Sequence, residues 1–203
     1  MTKDQKSKQQ YMRTRIAAVA ARIMAEDGVE DFSAAKRKAA RQIGAIDTQS
    51  LPNNDEIEAE LRIYQSLYQG DEQRERLCRL RNQALAAMEQ LSGFKPYLTG
   101  PVLKGTAGRY ADIDLQVFAD SCKELEIFLL NRNIPYETSE LRYYSGDQMR
   151  AVSVLTLDWE GTPVRVAVCW PDDERRSFKT SPLGRAQDRA GLEAVRTLVA
   201  SGE

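Results

Sequence analysis

Hydrophobic positions in the first half of the chain recur at helical spacing. Met12, Ile16, Val19 and Ile23 lie three or four residues apart, and Gly28 then offers a C-cap. Asn53 and Glu56 have the spacing of a capping box ahead of a second apolar stripe. These patterns predict an all-helical N-terminal region over residues 1–95, with helices near residues 12–28, 33–43, 53–70 and 71–93.

The pattern changes to strand-like alternation after Pro96. Short apolar runs predict strands at residues 97–99, 113–118, 135–143, 151–159 and 162–170, the last two joined by a turn at Glu160-Gly161. Asp120 is the expected cap of a helix that reaches residue 133, and residues 183–200 are expected to form a terminal helix. The chain is therefore predicted to be an α+β protein, with a second domain over residues 96–203.

Composition narrows the chemistry more than the fold. The 203 residues carry a net charge of −1, which does not point to nucleic acid, and they include no histidine. Catalysis by Ser-His or Cys-His pairs and imidazole metal sites are thereby excluded. The three widely spaced cysteines (Cys78, Cys122 and Cys169) favour reduced thiols in a cytoplasmic protein. We expect neither a signal peptide nor a membrane span, because no long apolar run is present.

The segment GPVLKGTAGRYADIDL, residues 100–115, carries the strongest chemical signal. Side chains alternate along a strand, so Asp112 and Asp114 are expected on one face, with Ile113 and Leu115 in the core. Two adjacent carboxylates repel each other unless a cation lies between them, and a hard divalent cation prefers oxygen ligands. The small residues upstream predict a loop whose backbone amides approach a phosphate.

These residues resemble the signature of the DNA polymerase beta-like nucleotidyltransferases. The glycines, the threonine and the Asp-Ile-Asp-Leu run all fall at the family's spacing. The resemblance covers roughly the C-terminal half of the chain and implies a nucleotidyltransferase-like mixed sheet with flanking helices. It implies Mg²⁺ or Mn²⁺ held by Asp112 and Asp114, which would also be the catalytic residues. It further implies nucleotide contacts by Gly100, Lys104, Gly105, Thr106 and Arg109.

The implied reaction transfers a nucleoside monophosphate from a metal-bound nucleoside triphosphate to a hydroxyl. The acceptor is left open between a small molecule, a protein and an RNA end. We expect no membrane partner and no DNA partner.

Two positions depart from the family pattern. Pro101 replaces the serine that follows the first glycine, and it offers neither a hydroxyl nor an amide N–H. Arg165 occupies the position expected for a third carboxylate, with Asp158 as a possible substitute. Arg165 is expected on the carboxylates' face, where it could form an ion pair instead of a metal site. This leaves open an inactive relative that binds a nucleotide or a partner. The two aspartates could also simply be the solvent face of a strand.

A basic cluster on the predicted second helix gives a third hypothesis. Lys36, Arg37, Lys38 and Arg41 follow a helix and a glycine turn, and this arrangement resembles the start of a tetracycline-repressor type helix-turn-helix. The expected reading helix is replaced by a polar loop and then by an acidic helix, which phosphates would repel. A solvated basic face is therefore preferred over a nucleic-acid-binding regulator.

Overall fold

The computed structural model describes residues 3–29, 31–45, 50–145, 148–176, 178–179 and 186–202. The protein is α+β, as predicted, with seven α-helices and a six-stranded sheet among these residues. The helices are α1 (Lys3–Asp27), α2 (Phe32–Gln42), α3 (Asn54–Tyr68), α4 (Gly70–Gln90), α5 (Gly100–Lys104), α6 (Cys122–Asn131) and α7 (Leu192–Ser201). The strands are β1 (Tyr97–Thr99), β2 (Ile113–Phe118), β3 (Tyr136–Ser145), β4 (Gln148–Trp159), β5 (Thr162–Cys169) and β6 (Ala190–Gly191).

The chain divides into two compact units. The first contains Met1–Arg74 together with Thr106–Ala111, and the second contains Glu75–Gly105 together with Asp112–Glu203. The change of unit at Arg74 comes earlier than the domain boundary expected at residue 95, so α4 from Glu75 onward belongs with the sheet. The Thr106–Ala111 segment belongs with the helices.

The helical unit is built on small apolar residues. Ala20 and Ala21 of α1 and Ala35 and Ala39 of α2 are buried in one cluster, and Ile57 of α3 completes it. Two helices can approach closely where alanine is the only side chain between them. The predicted capping box is confirmed, because the Asn53 side chain accepts from the Glu56 N–H and Glu56 accepts from the Asn53 N–H.

The second unit contains a mixed sheet with strand order β3-β4-β5-β2-β1-β6. β2 and β5 run parallel at its centre, and the other neighbouring pairs are antiparallel. The predicted turn at Glu160-Gly161 is confirmed. Both residues have positive φ, 52° and 79°, which suits the tight connection of a twisted hairpin. The central parallel pair carries the acidic and basic residues discussed below.

Three local predictions are corrected. Residues 100–104 form the short helix α5 and not an open loop. Ser121, not Asp120, caps α6, because its hydroxyl lies within reach of the Lys123 N–H. The last helix begins at Leu192, after Gly191 has paired with Tyr97 in the sheet. The part of that helix predicted over residues 183–185 lies outside the described residues.

The described helices include none with the length and apolarity needed to cross a bilayer. All three cysteines are free thiols; Cys169 is buried in the core and Cys78 is exposed.

Candidate functional site

The carboxylate pair lies where β2 begins. Asp114 is in the strand, and Asp112 immediately precedes the first residue of the strand, Ile113. Ile113 and Leu115 are buried, as the alternation predicted, whereas both aspartates are partly exposed. The Asp-Ile-Asp-Leu run therefore directs its apolar side chains into the core and leaves its carboxylates accessible to a ligand.

Gly100 lies against the Asp114 carboxylate. It has a φ of +69°, a conformation that L side chains rarely adopt. A Cβ at this position would also come within 2.6 Å of the Asp114 Oδ2. Both the conformation and the contact require glycine, so the first glycine of the signature keeps one side of the carboxylate free of side-chain atoms.

Arg165 lies beside Asp114, as expected. The two residues are partners in the parallel register of β5 and β2. The Arg165 Nη1 is 3.7 Å from the Asp114 Oδ1, and about a third of each side chain remains exposed, 34% and 29%. This separation exceeds hydrogen-bond length, and ion pairs of this exposure contribute only about 0–1 kcal/mol. Arg165 is therefore a neighbour that partly neutralises Asp114 and remains free to turn away.

The pKa values of both carboxylates are raised by burial, which Arg165 offsets only in part. Burial raises the pKa of Asp114 to about 6, Arg165 lowers it in part, and the Asp112 charge adds to the rise. Burial also raises the pKa of Asp112, again with Arg165 acting in the opposite direction. A raised carboxylate pKa means that the ionised form lacks compensating positive charge. A cation bound between the two carboxylates would supply it.

The third carboxylate considered from the sequence has a structural contact of its own. Asp158 of β4 lies opposite Pro163 of β5. The Asp158 Oδ1 accepts a 2.8 Å hydrogen bond from the Gly161 N–H in the hairpin turn. Among the described residues, no three Cys, Asp or Glu side chains come together as a metal-binding group. The protein donors available here are thus the two carboxylates of Asp112 and Asp114.

The predicted phosphate-binding residues are distributed over both units. Gly100, Lys104 and Gly105 belong to the second unit, where Gly105 ends α5 and its N–H donates to the Pro101 carbonyl. Thr106 and Arg109 belong to the first unit. Thr106 is buried, while Arg109 is exposed and lies near the Tyr110 ring. Nucleotide contacts by these five residues stay a prediction.

Sequence reasoning missed the polar side chains that hold this segment in place. In the first unit, Gln65 donates to the Thr106 carbonyl and Gln73 to the Ala107 carbonyl. In the second unit, Arg81 donates to the Val102 carbonyl at the end of α5. A signal was present in the sequence, because Gln65 and Arg81 each lie four residues after a core leucine, Leu61 or Leu77. A polar residue on an apolar helical stripe indicates a specific buried partner.

The basic cluster on α2 is partly engaged within the helical unit. Lys36 donates to the Asn54 side chain at 2.7 Å, and Lys38 pairs with Asp27 at 2.8 Å. Burial lowers the pKa of Lys36. Two of the four cations therefore have protein partners, which weakens the case for a phosphate-binding face.

Known proteins give no independent guide to this site. No family model, curated protein or solved structure matches the chain. The case for a function therefore depends on the residues of the site.

Proposed function

We propose that the protein is a nucleotidyltransferase, which transfers a nucleoside monophosphate from a Mg²⁺- or Mn²⁺-bound nucleoside triphosphate to a hydroxyl. One observation carries the proposal. Asp112 and Asp114 form a neighbouring carboxylate pair at the start of β2, with a burial effect that Arg165 offsets only in part and with the Gly100 backbone packed close against Asp114.

The donor set fits the proposed metal. Mg²⁺ is commonly held by one or two carboxylates, with substrate phosphates and water completing its six oxygen ligands. Asp112 and Asp114 supply two such carboxylates, and a third is not required when a triphosphate is present. The raised pKa of each carboxylate supports the same assignment, because divalent charge favours the ionised forms.

Four residues have roles in this proposal. Asp112 and Asp114 hold the metal, and Gly100 lets the backbone pack close to the Asp114 carboxylate. Arg165 turns from Asp114 to a phosphate oxygen, for which its fork of N–H donors is suited. When bound, the metal polarises the α-phosphate and lowers the pKa of the attacking hydroxyl. We place this activity in the cytoplasm, where the three free thiols would stay reduced.

Transfer of label from α-³²P-labelled nucleoside triphosphates tests the proposal. The protein is incubated with Mg²⁺, each labelled triphosphate, and small hydroxyl acceptors, cell RNA or cell protein in turn. We expect labelled product and pyrophosphate with the natural chain and a loss of at least about 100-fold in Asp112→Asn/Asp114→Asn, because metal-bound charge stabilisation is removed. Glu137→Gln/Glu140→Gln is the matched control, since it removes two exposed charges from β3 of the same sheet. Label transfer that is equal in both double variants would contradict the proposal.

A second candidate is favoured by the Arg165–Asp114 pair. Arg165 supplies positive charge at the position where the resembled family has a metal ligand, and Pro101 removes the expected phosphate contact. A protein with these two replacements would bind a nucleotide or a partner without catalysis. Nucleotide binding that is indifferent to EDTA, with no label transfer, would favour this second candidate.

A further inference from the structure

A cavity of about 290 Å³ lies in the second unit, at the C-terminal ends of the parallel strands β2 and β5. Its wall contains Asp120 after β2, Trp170 and Pro171 after β5, and Arg150 near the start of β4. The carboxylates Asp112 and Asp114 lie at the opposite end of β2. Ligands of open sheets commonly bind at the C-terminal ends of parallel strands. Nothing in the proposed transfer reaction uses this cavity.

A buried carboxylate fixes two guanidinium groups at the cavity. The Asp173 side chain is 2% exposed, and its Oδ2 accepts a 3.0 Å hydrogen bond from the Arg150 Nη1. The Arg176 Nε is 3.5 Å from the Asp173 Oδ1. Both arginines line the cavity, and about a third of the Arg150 side chain and half of the Arg176 side chain are exposed. Each guanidinium therefore has N–H groups beyond those facing Asp173, and these suit a bound carboxylate.

The cavity lining also carries negative charge beside the two arginines. Asp120 and Asp172 line it with exposed carboxylates, and neither makes an ion pair within the described part of the chain. Arg150 belongs to β4 and Asp120 follows β2, with β5 between them. Two strand spacings separate the backbones of these residues by about 10 Å. The exposed indole of Trp170 and the ring of Pro171 lie at the end of the intervening strand.

From this arrangement we infer that the cavity binds a free α-amino acid. Arg150 and Arg176 receive its carboxylate, Asp120 and Asp172 receive its ammonium group, and the Trp170 indole packs against its side chain. The volume lies at the lower end of the range of small-molecule pockets, about 300–1,000 Å³, so the ligand must be small.

Neither a purely anionic nor a purely cationic ligand matches the charges that line the cavity. Three aspartates and two arginines give it a net charge of −1, so a phosphate group would meet more repulsion than attraction. A simple cation would leave the N–H groups that face away from Asp173 without an acceptor. A zwitterion satisfies both sets of groups.

Isothermal titration of the full chain with each of the twenty L-α-amino acids, in EDTA and without nucleotide, tests the inference. We expect at least one to bind with a Kd below about 1 mM. Its amide and its N-acetyl derivative should each bind at least about 10-fold more weakly, because each lacks one charged hydrogen-bonding group.

Variants then assign binding to this cavity. Arg176→Gln and Asp120→Asn should each weaken binding at least about 5-fold. Arg175→Gln and Asp188→Asn, at exposed positions outside the cavity lining, should leave it unchanged. The inference is overturned if no amino acid binds at 10-fold higher concentration, or if the two cavity variants bind as tightly as the controls. It is also overturned if ATP, without metal, binds to the cavity and the amino acids do not. These measurements involve neither a metal nor Asp112 and Asp114, so their failure and that of the transferase proposal are separate results.

Discussion

Two arginine–aspartate pairs in the second unit differ in distance, in exposure and in the charge of their neighbours. Arg150 and Asp173 form a 3.0 Å hydrogen-bonded pair whose carboxylate is 2% exposed. Arg165 and Asp114 approach only to 3.7 Å, with about a third of each side chain exposed. The Asp173 carboxylate contacts a second arginine, Arg176, whereas Asp114 has a second carboxylate, Asp112, as its neighbour.

The difference shows what each carboxylate is suited to do. Asp173 lies beside two arginines: its Oδ2 accepts a hydrogen bond from Arg150, and its Oδ1 is 3.5 Å from the Arg176 Nε. Burial raises the pKa of Asp114 to about 6, Arg165 offsets that rise only in part, and the Asp112 charge adds to it. A buried, well-matched pair contributes to structure, while a desolvated and poorly matched carboxylate is typical of a functional site.

The largest expected effect comes from breaking the buried pair. Asp173→Ala should lower the free energy of unfolding by about 2–4 kcal/mol, because it leaves two guanidiniums facing each other without their carboxylate. Arg165→Ala, the matched change at the exposed pair, should alter it by less than about 1 kcal/mol. Urea denaturation followed by tryptophan fluorescence measures both, since Trp159 and Trp170 belong to the second unit. Equal losses in the two variants would contradict the contrast between the pairs.

The second effect depends on pH. The pKa of Asp114 is about 6 in the folded chain against a reference value of 3.8, so the folded form holds the proton more tightly. Its stabilising contribution is complete below 3.8 and is lost as the pH rises through about 6. In EDTA, Asp114→Asn should therefore be more stable than the natural chain by up to about 3 kcal/mol at pH 8. Urea denaturation at pH 4, 6 and 8 should show this gap shrink below about 1 kcal/mol at pH 4. A gap that widens toward low pH would reverse the assigned sign.

The third effect comes from replacing Arg165, the arginine of the exposed pair. Arg165→Asp places a third carboxylate beside Asp112 and Asp114, so Mg²⁺ affinity should rise at least about 10-fold. Arg165→Gln is the control, because it removes the positive charge without adding a ligand, and we expect a gain of about 2–3-fold. Titration calorimetry with MgCl₂ measures both affinities. No gain in either variant would place Arg165 outside the metal site.

Much of the fold could be predicted because local patterns and tertiary packing agree. The alternation of Ile113 and Leu115 with the aspartates is satisfied by burial on one face of β2. The Asn53–Glu56 box forms where its spacing indicated. Helix α5 was missed because glycine and proline at its start are typical of loops, and the contact that holds it, from Arg81, is long-range. The start of α7 was misplaced because Ala190 and Gly191 pair with β1, a non-local contact that periodicity does not encode.

The candidate site was predictable in part for the same reason. Asp112, Asp114 and Arg165 follow from strand periodicity and strand pairing. The Arg150–Asp173–Arg176 cluster was not found, because its members come from β4, from a short 3₁₀ turn at Pro171–Asp173 and from the residues just after that turn. Only the folded sheet brings those segments together.

The measurement that tests the account most directly is isothermal titration of ATP, CTP, GTP and UTP into the protein, with Mg²⁺ and again with EDTA. We expect that at least one triphosphate binds with Mg²⁺ and binds at least about 10-fold more weakly with EDTA. Asp112→Asn/Asp114→Asn should abolish that metal dependence, and Glu137→Gln/Glu140→Gln should retain it. Binding that is equal with and without metal, or that survives loss of both aspartates, would contradict a metal-nucleotide site at the start of β2.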